Sequence, residues 1–342
     1  MYNVGRSLRT RYHKLIPRYH KNIVSVTSSE SSRAAESASY VAAGMFHPDT
    51  EPVFDKKEGS TTWRRVPIWE NALFDKHKLF SQKRDRSQCP KFTAMREQVK
   101  AEEKSRASPT RKEFYRIINE MILIVYNQSE FINSFMDNSK AYDTFQAWIL
   151  DDQEVPSWIV KVFPVLEKMK QLRMWIHIHS KPNMMRFLTG TLLNQMFIEM
   201  DDASKSSSLK VHFHGSHDIP VCALVWGIVH DEKYLALPGD TVVVEMTADG
   251  LVKVYLYVPL KKDRRERFQI LSLESLCGKE DCSLVEFKNA LKELTFDEDQ
   301  WKQICNDKSG VDPEYRTLPQ DIDDEDLIIM NEAMSYLKNV TL

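Results

Sequence analysis

Residues 210–229, KVHFHGSHDIPVCALVWGIV, constrain the fold more than any other stretch. KVHFHG alternates and is rich in strand-forming residues, and IPVCALVWGI reads as an apolar helix. Only the short turn SHD separates them. A strand that passes straight into a helix belongs to an α/β sheet. The same unit recurs near the start of the chain. NIVSV (22–26) reads as a strand, and Thr27-Ser28-Ser29-Glu30 has the pattern of a capping box. The helix that follows carries Ala34, Ala35, Ala38, Val41 and Ala42 on one side and ends near Gly44.

The remaining segments fill in around these two units. Val4, Leu8, Tyr12 and Leu15 recur at helical steps over 2–16, and Pro17 stops them. Residues 46–90 are irregular, with one strand at WRRVPIW (63–69). Residues 91–205 read mostly as helix, with Pro164 kinking or starting one of the segments. So many helices without a strand predict an inserted helical cap over 92–180, within an α/β core made of 1–91 and 181–342. A chain of 342 residues suits that plan. After the polar loop SKSSSL (204–209) strands return, and TADG joins DTVVVEM (240–246) to VKVYLYV (252–258) as a hairpin.

The net charge of −2 points to neither nucleic acid nor a membrane surface as partner. The basic stretch 1–22 and the acidic run 321–326 read as solvated surface. No apolar run reaches the ~18 residues of a membrane span. Arg6, Arg9 and Arg11 interrupt any signal core after Met1, so a chain starting there stays in the cytosol.

The cysteines argue for secretion instead. Cys222 lies inside VCALVWGIV and reads as a buried thiol. Cys277 and Cys282 flank a short turn containing Gly278, close enough to bridge, which leaves Cys89 and Cys305 as a long-range pair. A metal site is the rival reading, although the spacing is not CxxC. Asn127 and Asn339 each begin a glycosylation triplet.

Two kinds of chemistry compete for the histidines. His212 and His214 share one strand face, and His177 and His179 lie elsewhere, which is the raw material of a metallohydrolase. Against it, no HExxH occurs and no acidic ligands cluster, so the expectation is no metal and no cofactor. The alternative is positional. In open α/β sheets ligands bind beyond the carboxyl ends of the strands, where His217 and Asp218 stand. Asp218 at a helix start is equally explained as an acceptor for backbone N–H groups.

Six segments, taken in order, resemble the histidine acid phosphatase family of the lysosomal and prostatic type. They are YNVGRSLRTRY (2–12), VSVTSSESSRAAESA (24–38), VPIW with CPKF (66–69 and 89–92), VPSW (155–158), GSHDIPVCALVWGI (215–228), and LCGKEDCSLVEF with WKQIC (276–287 and 301–305). The resemblance implies a phosphoglycerate-mutase-like mixed sheet flanked by helices, with the cap inserted. It implies phosphomonoester hydrolysis through a phosphohistidine, which splits one hard step into two. Asp218 then takes the position of the proton donor and His217 that of a phosphate contact. The implied disulfides are Cys277–Cys282 and Cys89–Cys305. The implied partners are a phosphomonoester substrate and a second copy of the chain, and the implied location is secreted or lysosomal.

The chain also departs from the family pattern. The Arg-His-Gly nucleophile motif is absent, and by alignment it falls before Met1 on a first strand that is missing as well. RYHK occurs at 11–14 and 18–21, but neither His13 nor His20 is followed by the glycine that lets backbone approach phosphate. Thr27 stands where the family has a phosphate-binding arginine, while Arg33 matches a later arginine of the segment. Ile219 and Pro220 replace a threonine pair, and Pro220 suits the first turn of a helix. The expectation is therefore a family member inactive or impaired as written. The alternatives are a truncated form of an active secreted or lysosomal enzyme and a non-enzymatic binding protein on the same fold. A missing strand would open a sheet edge and favour aggregation.

Overall fold

The structure is a computed structural model that describes residues 1–29, 31–46, 66–70, 89–126, 135–205, 208–259, 266–307 and 323–341. Asn127, Glu30 and residues 63–65 of the expected strand lie outside the described residues. The chain divides into two compact units, Met1–Pro90 with Met185–Asp307, and Lys91–Met184 with Lys308–Leu342.

The first unit is α/β. Helix α1 (Tyr2–Tyr12) leads to strand β1 (Val24–Ser28), helix α2 (Ser32–Met45) and the short strand β2 (Trp69–Glu70). Strand β3 (Val211–Gly215) runs parallel to β1 in register from Val24↔Val211 to Ser28↔Gly215. β2 pairs with the other edge of β1 at Thr27 and Ser28, so β1 is central in a parallel sheet ordered β2-β1-β3. Val24, Val26, Leu8, Ile16, Val41 and Met45 form the apolar cluster between β1 and its covering helices.

α1 and α2 cross backbone to backbone. A Cβ on Gly5 would stand 2.0 Å from the Val41 carbonyl oxygen, and one on Gly44 would stand 2.0 Å from that of Tyr2. Only glycine allows such an approach.

Strand β4 (Thr241–Met246) pairs antiparallel with β5 (Leu251–Val258) through the expected TADG turn, where Gly250 has φ +79. β5 also pairs with β6 (Arg267–Leu271) and with the short β7 (Cys282–Ser283). β6 has no counterpart in the sequence reading, because RFQIL is largely exposed and lacks a clean alternation. Cys277–Cys282 closes the turn before β7, and Cys89–Cys305 joins residues 216 apart. Cys222 is a buried thiol whose Sγ accepts the Ala236 N–H at 3.3 Å.

Two readings need correction. The expected capping box does not form: Thr27 and Ser28 are the last residues of β1, and α2 begins at Ser32 with Ser31 as N-cap. The pairing of Thr27 with His214 and of Ser28 with Gly215 claims that backbone for the sheet, so the strand ends two residues later than expected. Of the two places expected for Pro164, the start of a helix is excluded, because it lies inside helix Ser157–His179.

The second unit is helical among its described residues: Pro90–Arg106, Pro109–Tyr126, Phe135–Leu150, Ser157–His179 and Asp324–Thr341. It thus takes in the C-terminal helix, which the sequence reading assigned to the core. Met330, Ala333, Met334 and Leu337 form one stripe of that helix, buried with Phe114, Ile118, Leu166 and Met169. Lys168 ties its start through Asp326 at 2.6 Å and Asp323 at 3.2 Å. No described helix is long and apolar enough to cross a membrane.

Candidate functional site

β1 and β3 run parallel, so their carboxyl ends lie side by side. β1 gives way to Ser29 and then α2, and β3 gives way to Ser216 and His217 before helix Asp218–Val229. The Ser29 N–H donates to the Gly215 carbonyl at 3.0 Å, which extends the ladder one step beyond the strand. Gly215 is required there, since a Cβ would meet the Ala34 carbonyl oxygen of α2 at 2.6 Å. Two helix N-termini therefore rise from adjoining strand ends, an arrangement that favours negative charge.

His217 is the N-cap of its helix but makes no side-chain cap bond. Its Nε2 lies 2.8 Å from Ser29 Oγ. Burial holds its imidazole below the ordinary value, Asp218 opposes that shift, and the charge of Arg33 adds to it. The ring is thus neutral near pH 7 and carries one N–H and one acceptor. Asp218 opens the helix, with Oδ1 accepting the Ile219 N–H at 2.9 Å. That bond to a backbone N–H is of the kind the capping reading expected. The Ser216 hydroxyl, just before them in the chain, is buried without a hydrogen-bond partner among the described residues.

Beneath these groups runs a chain of hydrogen bonds that the sequence did not announce. Glu199, on helix Met184–Ser204, lies 2.8 and 2.9 Å from His212 Nδ1. His212 Nε2 lies 2.7 Å from Thr27 Oγ1, and His214 Nδ1 lies 2.9 Å from the same oxygen. A carboxylate only accepts, which sets the order of the protons. His212 Nδ1–H donates to Glu199, the Thr27 hydroxyl donates to His212 Nε2, and His214 Nδ1–H donates to Thr27. Burial, with the neighbouring His212 and His217 opposing a further positive charge, pushes His214 down to about 3. Thr27 is fully buried.

The histidines of the metal reading are thereby accounted for differently. His212 and His214 do share a face, as strand alternation predicts, but they converge on Thr27. His177 and His179 belong to helix Ser157–His179 of the other unit. No cluster of three or more His, Cys, Asp or Glu that could hold a metal occurs among the described residues. Asn339 lies exposed on the C-terminal helix. The sequence reading missed Ser29 and Glu199. Ser29 was spent on a capping box, and Glu199 sits in a helix where nothing in the spacing links it to His212.

Comparison with known proteins gives a consistent picture. The family model described as Histidine phosphatase superfamily (branch 2) matches residues 1–225. No curated protein matches the sequence. Among solved structures, the phytase from Citrobacter braakii aligns with 13% identity over 87% of this chain and 86% of its own, with a TM-score of 0.54. A Klebsiella sp ASR1 phytase aligns with 14% identity over 86% of this chain and 82% of its own, with a TM-score of 0.53. At that identity the likeness concerns the fold.

Proposed function

Because the chain belongs to the histidine phosphatase superfamily (branch 2), we propose that the ends of β1 and β3 form a phosphomonoester site whose hydrolysis is impaired. One observation carries this reading. Ser216, His217 and Asp218 follow one another in the turn from β3 into its helix, beside the start of α2, and the buried Ser216 hydroxyl has no hydrogen-bond partner among the described residues. A phosphate there receives N–H and O–H donors without needing a metal.

In this reading Asp218 donates a proton to the leaving oxygen, and His217 donates to a non-bridging oxygen. Ser29 fixes the His217 ring from behind. The impairment follows from two departures: no Arg-His-Gly occurs in this sequence to supply a histidine that attacks phosphorus, so only water can take that role, and Thr27 replaces an arginine. The neutral Thr27 hydroxyl is committed to His212 and His214, and it stands where the family resemblance places that arginine. Losing one charge-assisted contact costs roughly 1.5–3 kcal/mol. The two disulfides fit an oxidising compartment, so a secreted or lysosomal location and glycosylation at Asn127 and Asn339 belong to the same proposal.

The test is calorimetry with inorganic phosphate beside a p-nitrophenyl phosphate assay from pH 4 to 7. Saturable binding with weak turnover is expected, and Asp218→Asn removes the turnover. Turnover untouched by that substitution sinks the assignment of Asp218. Vigorous turnover sinks the impairment.

A further inference from the structure

The two parallel strands β1 and β3 carry different chemistry on their two faces. Val24, Val26, Val211 and Phe213 turn to the apolar cluster beneath α1 and α2, and a Cβ on Gly215 would point at α2 as well. Alternation puts Ser25 and Thr27 on the other face of β1, and His212 and His214 on the other face of β3. Ser29 and Ser216 continue that alternation just past the strand ends. All six are polar. Apolar side chains would fill a covered sheet face at less cost, because each buried polar group must find a partner.

Four groups on this side form one unbroken line. Glu199, His212, Thr27 and His214 are linked in that order at 2.8, 2.7 and 2.9 Å. The Glu199 side chain is 18% exposed, whereas Thr27 is 0% exposed, so the line runs from near the surface to the interior. Gln195 donates to the same carboxylate at 3.0 Å. The Phe213 carbonyl lies 3.4 Å from the Thr27 hydroxyl, but His212 Nε2 is the nearer acceptor. Thr27 and His214 are register partners, one pair before Ser28 and Gly215, and Ser29 beyond them holds His217. The inner end of the line thus adjoins the strand ends. Each member can accept one proton while it releases another.

We propose that Glu199, His212, Thr27 and His214 are a proton relay serving the strand ends, which rests on the reading of those ends as a place of phosphomonoester hydrolysis. With water as the attacking group, a proton must leave the water as its oxygen bonds to phosphorus. It enters at His214 Nε2, since Nδ1 serves Thr27. The Nδ1 proton passes to Thr27 Oγ1, the Thr27 proton to His212 Nε2, and the His212 Nδ1 proton to Glu199. No electrons are exchanged, and each hydrogen bond survives with its direction reversed. Burial keeps His214 from retaining the charge, so the proton is passed on. It returns along the same line to the strand ends, where Asp218 has meanwhile given its own proton to the leaving oxygen. The cycle then closes with every residue restored.

The first test needs no turnover. 15N-labelled histidine in the full chain at pH 7 should show His212 and His214 both protonated on Nδ1, with the signals assigned through His212→Gln and His214→Gln. An Nε2–H form of either ring overturns the relay. The second test is p-nitrophenyl phosphate turnover in mixtures of H2O and D2O. Glu199→Gln should lower kcat about tenfold or more with KM unchanged, and should straighten a curved dependence on the deuterium fraction. Thr27→Val should do the same, and Thr27→Ser, which keeps the oxygen, should recover most of the loss. Residues of structural weight alone would move KM and stability and leave the curvature as it is. Turnover and curvature unmoved by Glu199→Gln overturn the relay, and phosphate binding by calorimetry then leaves the site standing. Phosphate binding without any turnover also overturns the relay. Absence of phosphate binding in the wild-type chain sinks the reading of the site and the relay with it. If Glu199→Gln fails to fold, His212→Gln serves in its place.

Discussion

Ser29 Oγ lies 2.8 Å from His217 Nε2, a residue 188 positions further along the chain, across the ends of two parallel strands. That bond determines which way the imidazole faces.

Ser29→Ala removes the bond while leaving the Ser29 N–H pairing with Gly215 in place. Phosphate affinity should fall about threefold to tenfold, the effect of one ordinary hydrogen bond. Thermal stability should change little. Calorimetry and a melting curve check the two halves. Unchanged affinity would mean that the ring is held by something else.

Thr27→Val keeps the shape of the side chain but removes the shared oxygen from His212 and His214. Two buried groups lose a partner, so the cost should be about 2–4 kcal/mol in urea unfolding. Glu199→Ala should cost less, since His212 is nearer the surface than Thr27. A larger loss for Glu199→Ala would reverse the order of importance along the chain.

Thr27→Arg is the substitution that family resemblance suggests for restoring activity. The structure predicts the opposite. The position is fully buried and bounded by two imidazoles, so a guanidinium finds no room there. The expected result is a destabilised chain with no gain in phosphate-ester turnover, measured on soluble protein at matched concentration.

Three histidines, His177, His214 and His217, are held below the ordinary imidazole value of 6.5. Such a base takes its proton more readily in the unfolded chain. Stability is therefore full above about pH 7 and falls as the pH drops below 6.5, down to about 3 for His214. Urea midpoints between pH 4 and 8 test this. Greater stability at pH 5 than at pH 7 would contradict it. Chemistry that needs Asp218 protonated would operate within this declining window.

The disulfides should contribute unequally. Cys89–Cys305 closes a loop with a sequence separation of 216, and Cys277–Cys282 one of 5. Chain-entropy arguments give roughly 5 kcal/mol for the first and roughly 2 for the second. Paired serine substitutions, compared by urea unfolding, test the ranking.

What could be read in advance was local. The strand-turn-helix at 210–229, the TADG hairpin and the apolar stripe of α2 are signals a few residues long, and each appears where expected. Boundaries between competing local signals were less legible. Thr27 to Ser29 suit a cap as well as a strand end, and pairing with β3 decided the matter. Relations that only packing creates were not legible, unlike the Cys89–Cys305 pair, which the cysteine count itself suggested. Glu199 finds His212, and the C-terminal helix finds the helical unit, only through packing that no spacing announces.

The crossing of α1 and α2 gives the start of the chain a hold over the site. α2 begins beside Ser29 and ends at the glycine contact with α1, roughly 18 Å away at 1.5 Å per residue. A helix transmits displacement along its axis like a rod. A single methyl added at Gly5 would push on Val41, and the other end of the rod carries the Ser31 cap beside the His217 ring. Residues far from the strand ends thus set the dimensions of the place proposed for a phosphate.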